Sequence, residues 1–168
     1  EPKQTLGRRY FESVALLRLD VTDVMPASQK VIHALGSAWT GNQTFRAFVQ
    51  RRPLQPNEMQ HYAKAFCAAP LLEVDFGGAQ LKPAEVQTFA EAIRSNPFGS
   101  LLALDLSGTA LRGEPAQTLT KCLEAALPPP PDHSFRSMKL ASCALTLDDE
   151  GSNSLLMCLG RRCSQLEV

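Results

Sequence analysis

The sequence predicts an α/β fold: a right-handed βα solenoid in which short parallel strands line the inside of a horseshoe and helices pave its outside. Three observations predict it. A template of eleven residues, clearest from Leu101 to Leu111, recurs with copies starting at Leu16, Thr44, Leu71, Leu101, Phe135 and Cys163. Successive starts lie 28, 27, 30, 34 and 28 residues apart, room for a strand, a turn and a full helix. Positions 4 and 6 of every copy are apolar, whereas the intervals between copies carry apolar residues at the helical spacing.

Each element follows from side-chain spacing. Alternate residues of a strand share a face, so positions 4 and 6 turn toward the core. In chain order these pairs are Leu19 and Val21, Ala47 and Val49, Val74 and Phe76, Leu104 and Leu106, Met138 and Leu140, and Leu166 and Val168. After the strand, a bend such as Ser107-Gly108 brings position 11, here Leu111, inward again. Helical spacing then marks Val31, Ile32, Leu35 and Trp39; Met59, Tyr62, Ala63, Phe66 and Cys67; Val86, Phe89, Ala90 and Ile93; Leu119, Cys122, Leu123 and Ala126; and Leu155, Leu156 and Leu159. Asn57, Asp148 and Ser28 suit N-caps, Pro83 and Pro115 suit first turns, and Pro70, Pro97 and Pro128 suit positions beyond helix ends.

Residues 1–13 read as a lead-in and residues 14–168 as the solenoid, with five full repeats and the strand of a sixth. The last template stops inside its strand, and a solenoid needs a polar cap over its final apolar layer, so the chain reads as a section of a longer array. Position 9 is occupied by Val24, Arg52, Ala79, Thr109 and Cys143. An Asn there would satisfy turn backbone groups; only Thr109 and Cys143 are ordinary substitutes, which makes the first three turns the suspect ones.

Composition narrows the function. Lys plus Arg number 17 and Asp plus Glu 17, so no net charge draws the chain to nucleic acid or an anionic membrane. No apolar run spans a bilayer, and the first ten residues lack a signal-peptide core. The odd set of five cysteines, Cys67, Cys122, Cys143, Cys158 and Cys163, lies in apolar patterns and reads as reduced thiols of a cytoplasmic protein. No cofactor or metal is expected, since His33, His61 and His133 fall in separate segments and no second Cys/His pair accompanies Cys158 and Cys163. Asn42-Gln43-Thr44 is read as an idle glycosylation match. No nucleophile elbow, phosphate loop or dinucleotide fingerprint occurs, so no catalytic residue is assigned and the chain is read as a non-enzyme.

The repeat length, the LxxLxLxxxxL strand pattern and the full outer helix resemble the ribonuclease-inhibitor-like class of leucine-rich repeats across residues 14–168. Leu104-Asp-Leu-Ser-Gly-Thr-Ala-Leu-Arg-Gly113, with the passage from Ala34-Leu35 through Trp39, Asn42 and Phe45, also looks like the CARMIL family of actin-regulatory scaffolds. That resemblance implies cytoskeletal scaffolding. Ran GTPase-activating proteins resemble the same repeat class, which makes regulation of a small GTPase the alternative function. The sensor repeats of nucleotide-binding immune receptors are a further one.

A protein partner is expected on the concave face or an edge of the array. In this frame the outward positions 3 and 5 place Arg18 with Asp20, Arg46 with Phe48, Glu73 with Asp75, and Ala103 with Asp105; Lys139 holds position 5 of the fifth strand. Asp75 and Asp105 become neighbours with Glu73 beside them, a mildly repulsive group that a basic or hydrogen-bonding partner relieves. Phe48 is expected as an exposed anchor flanked by Arg18 and Arg46. Against this stands the plainer reading that an Asp on an exposed strand is only a soluble residue. Pro128–Pro131 favours an extended segment, either a ligand motif or, as preferred here, an insertion in a helix-to-strand loop. Arg51-Arg52 and Arg161-Arg162 are given structural or solubilising roles.

Overall fold

Three-residue strands are too short to hold together alone, and in this chain each is held by the next turn of the repeat. A computed structural model describes residues 18–23, 33, 37, 44–96, 100–126, 135–163 and 165–168. Its elements, in order, are β1 (Arg18–Asp20), β2 (Ala47–Val49), α1 (Glu58–Ala68), β3 (Glu73–Asp75), α2 (Pro83–Arg94), β4 (Ala103–Asp105), α3 (Glu114–Ala126), β5 (Ser137–Lys139), α4 (Glu150–Arg162) and β6 (Gln165–Glu167). The six strands form one parallel sheet in sequence order. Consecutive helices pack on one another along one side of that sheet. Packed helices sit about 8–10 Å apart and strands only about 4.8 Å, so the strand side is the shorter, concave one. This is the α/β repeat solenoid that the sequence predicts.

Main-chain bonds beyond the strands repeat with the same frame. The position 2 carbonyls of Arg46, Leu72 and Leu102 each accept two amides of the next turn, at 2.7–3.1 Å. The position 6 amides of Val21, Gln50, Phe76, Leu106 and Leu140 each donate to the position 5 carbonyl of the following strand. Gly78 and Gly108 take up φ of +82° and +79° at position 8, the left-handed backbone that the bend requires. Cys143 supplies at position 9 what an Asn would, donating its thiol to Leu106 O at 3.2 Å. The Ala79 turn is as regular as the Thr109 turn, each amide returning to the position 6 carbonyl, so the irregularity expected of the third turn does not occur.

The second repeat corrects the sequence frame by one residue. Ala47 pairs with Arg18 and Glu73, and Phe48 with Leu19 and Val74. The copy therefore starts at Phe45, not Thr44, and Phe48 and Gln50 point inward, where Ala47 and Val49 were expected. The aromatic payload explains the outcome. Phe48 is fully buried, with ring centroids 4.9 Å from Tyr62, 5.2 Å from Phe66 and 5.6 Å from Phe76. The ring joins that aromatic cluster, while Val49 is covered on the other face of the strand. The cost is Gln50, wholly buried at position 6 with neither side-chain Nε2 nor Oε1 hydrogen-bonded among the described residues. Phe76, Leu106 and Leu140 fill the equivalent place.

Helix ends follow the expected chemistry with two adjustments. Pro83 opens α2, Pro115 lies in the first turn of α3, and Glu85 accepts the Lys82 amide at 2.7 Å. Asn57 occupies the N-cap of α1 in a left-handed conformation without a side-chain cap bond; Glu58 takes the Gln55 amide instead. The cap of α4 is Asp149, not Asp148, accepting Ser152 N at 2.7 Å. The helix expected around Val31 to Trp39 lies outside the described residues except for His33 and Ser37, as do Ser28, Pro97 and Pro128–Pro131.

Candidate functional site

On the concave face the outward residues run in columns set by the strand register. Arg18, Ala47, Glu73, Ala103 and Ser137 align at position 3, and Asp20, Val49, Asp75, Asp105, Lys139 and Glu167 at position 5. The aspartates are built into the turns. Asp20, Asp75 and Asp105 each accept, through Oδ1, the amide two residues on, from Thr22, Gly77 and Ser107, all at 2.9 Å. That amide bond from Thr22 draws the Asp20 carboxyl below its ordinary range. Gly77 sits close beside this ladder: a Cβ there would lie 3.1 Å from the Asp105 carboxylate carbon.

Counter-charges come from Arg18 and Lys139, where the sequence frame places them, and from Arg51, which it misassigned. Arg18 reaches over the small Ala47 of β2 to Glu73, at 3.3 Å. Arg51, given only a structural or solubilising role from sequence, clamps Asp75 through Nη2 at 2.6 Å and Nε at 3.0 Å. That hydrogen bond raises the guanidinium above its usual range. Lys139 pairs with Glu167 at 3.1 Å, which raises its ammonium. The expected unrelieved group of three carboxylates is thus corrected: Glu73 and Asp75 are paired, and Asp105 alone of them lacks a cation among the described residues. Exposed pairs of this kind contribute little stability, because water screens them and holding two long side chains together costs entropy.

Between these pairs lies an open depression of about 250 Å³. Arg18, Arg51, Glu73, Asp75, Asp105 and Lys139 line it, and the small side chains of Ala103 and Ser137 leave the room. Five of the residues expected here are therefore assembled: Arg18, Glu73, Asp75, Asp105 and Lys139. Asp20 sits on the same column at the sheet edge, outside the depression. Two expectations fail. Phe48 meets the depression only from beneath, inside the core, and is no exposed anchor. Arg46 is at position 2 rather than 3, its Nη1 donating to Phe45 O at 3.2 Å. The signal that finds Arg51 is the pair Phe45 and Phe48, spaced like Leu71 and Val74 or Leu101 and Leu104; the apolar Val49 conceals it.

A second charged cluster is internal. Glu58 is wholly buried and held by Arg52 at 2.7 and 3.0 Å, by the Gln55 amide and by the Tyr62 hydroxyl. Burial opposes ionisation of Glu58, and the bonds from Arg52, Tyr62 and Gln55 more than offset it, so its carboxyl lies below the usual range. Burial raises Tyr62. Arg52 therefore has the structural role expected of it. Elsewhere, the His33 and His61 rings stand 5.2 Å apart, edge to face, although the sequence places them in separate segments. The described residues contain no group of three or more His, Cys, Asp or Glu arranged to hold a metal. All five cysteines are free, and burial pushes the Cys163 thiol up to about 12.

No family model matches this chain, and no curated protein does. Among solved structures it is similar to the tropomodulin C-terminal domain from Caenorhabditis elegans. The TM-score is 0.68 at 10% identity, covering 94% of this chain and 92% of that one. At such identity the likeness is one of fold. No helix among the described residues is long and apolar enough to cross a membrane.

Proposed function

We propose that this chain is a non-enzymatic protein-binding scaffold whose concave face holds a partner. The observation that carries the reading is the 250 Å³ depression at the centre of the sheet, rimmed by side chains of both charges over β3 and β4. Extended concave surfaces are what such solenoids use for binding, and polar rims around a shaped hollow favour specific over indiscriminate contact. Among the described residues the aspartates of the depression are held by turn amides, and Asp75 also by a guanidinium group, which suits a structural surface. The CARMIL resemblance favours a cytoskeletal setting, and the fold likeness to the tropomodulin C-terminal domain agrees with the solenoid on which that reading rests.

The test is to fill the hollow. Ala103→Trp places a ring on the outward face without touching the core, so the fold and melting temperature should stay within a few degrees of wild type. Partners recovered by proximity labelling with the wild-type chain should be lost from the variant. A partner set unchanged by Ala103→Trp would remove the concave face as the binding surface.

A further inference from the structure

We infer that the depression accepts a cationic side chain, Lys or Arg, from an extended segment of the protein partner, and that Asp105 is its acceptor. This rests on the reading of the concave face as the binding surface and names the chemistry of what it binds. Six charged residues line the hollow. Each of the three cations already has a carboxylate: Arg18 on Glu73, Arg51 on Asp75, and Lys139 on Glu167 outside the hollow. Of the three carboxylates, Asp105 alone has no ion pair among the described residues. Arg51 and Lys139 both feel the Asp105 charge without bonding it, so Asp105 is the carboxylate left open to a bonded cation, at the centre of the sheet.

The geometry holds that acceptor ready. Asp105 Oδ1 is fixed by the Ser107 amide at 2.9 Å, which orients the carboxylate and leaves Oδ2 for a second donor. Gly77 offers no Cβ to crowd it. Ala103 and Ser137 leave space at position 3 for the aliphatic stem of a long cation, which gains from lying on apolar surface while its head stays polar. An acidic ligand would meet cations that a carboxylate already neutralises, whereas a cation meets a carboxylate with no ion pair among the described residues.

The experiment titrates the ¹⁵N-labelled chain with three blocked peptides, Gly-Arg-Gly, Gly-citrulline-Gly and Gly-Glu-Gly. The Ser107 and Gly77 amide signals should move saturably with the arginine peptide. Citrulline, neutral and nearly the same shape, should bind about tenfold more weakly or worse, as loss of a charge-assisted hydrogen bond requires. Asp105→Asn should weaken the arginine peptide by a similar factor, and Asp20→Asn, the same turn at the sheet edge, should not. Equal response to citrulline, preference for the glutamate peptide, or no movement at millimolar peptide overturns the inference. If labelled partners are lost from Ala103→Trp but retained by Asp105→Asn, the face still binds and only its proposed cation chemistry is wrong. If both variants retain them, both readings fail.

Discussion

Replacing Gln50 with Leu should make the protein more stable, against the usual direction of core substitutions. Gln50 is fully buried, and its amide nitrogen and oxygen both lack partners among the described residues. Each buried unmade hydrogen bond costs about 1–3 kcal/mol. Leu removes both and restores the apolar residue that Phe76, Leu106 and Leu140 provide at the same place in their repeats. Branching at Cγ requires some repacking, about 1 kcal/mol, so a net gain of about 1–5 kcal/mol is expected. The Gln50 backbone amide keeps its bond to Asp75 O, 2.8 Å, in either case. Urea unfolding followed by circular dichroism measures it: the midpoint should rise with the slope unchanged. Gln50→Glu should lower the midpoint, because it buries a charge. A Gln50→Leu protein of lower stability would show that the amide is satisfied, and the register of β2 would need another explanation.

Phe48→Ala should cost about 3–5 kcal/mol, because it opens a cavity in the aromatic cluster of Tyr62, Phe66 and Phe76; an unchanged melting curve would return Phe48 to the surface. Gly151→Ala, which in an ordinary helix interior gains about 1 kcal/mol, should instead destabilise. Its Cβ would lie 2.2 Å from Gly113 O, so a raised unfolding midpoint would refute that close approach. In acid, Asp149 is the group to watch. Its bonds from the Gly113 amide and from Ser152 hold its carboxyl down to about 2. With the folded value below the unfolded one, its stabilisation is complete above the ordinary carboxylate range and is lost as pH falls toward 2. Asp149→Asn should therefore flatten the acid limb of the stability–pH curve, and an identical limb in the variant would assign it to other carboxylates.

Leu104 and Leu106 declare their orientation without help, because a leucine pair two apart with polar neighbours admits one amphipathic strand. Asp105 was therefore legible as an outward residue, as were Asp75, Glu73 and Lys139. What the neighbours of Asp105 do was not legible. Arg18 lies 55 residues from the Glu73 that it bridges, and Arg51 lies 24 from Asp75; such distances carry no local signal. The Asx turns were overlooked for another reason. Asp-x-Gly and Asp-x-Ser announce them, but a polar residue on an exposed face draws no question.

The sequence by itself determined the solenoid, because period and alternation are local properties that each repeat states anew, and errors in one copy leave five others intact. It also determined which strands are neighbours, since parallel strands in successive short repeats pair in order. Only the tertiary structure decided the frame of β2. There Ala47 and Val49 offered one apolar face and Phe45 and Phe48 another, and the choice between them rests on the space that Tyr62, Phe66 and Phe76 leave for a ring. That one-residue shift sends Phe48 into the core, strands Gln50 there and swings Arg51 onto the concave face. A strand has a side-chain period of two, so moving its register by one exchanges its faces completely.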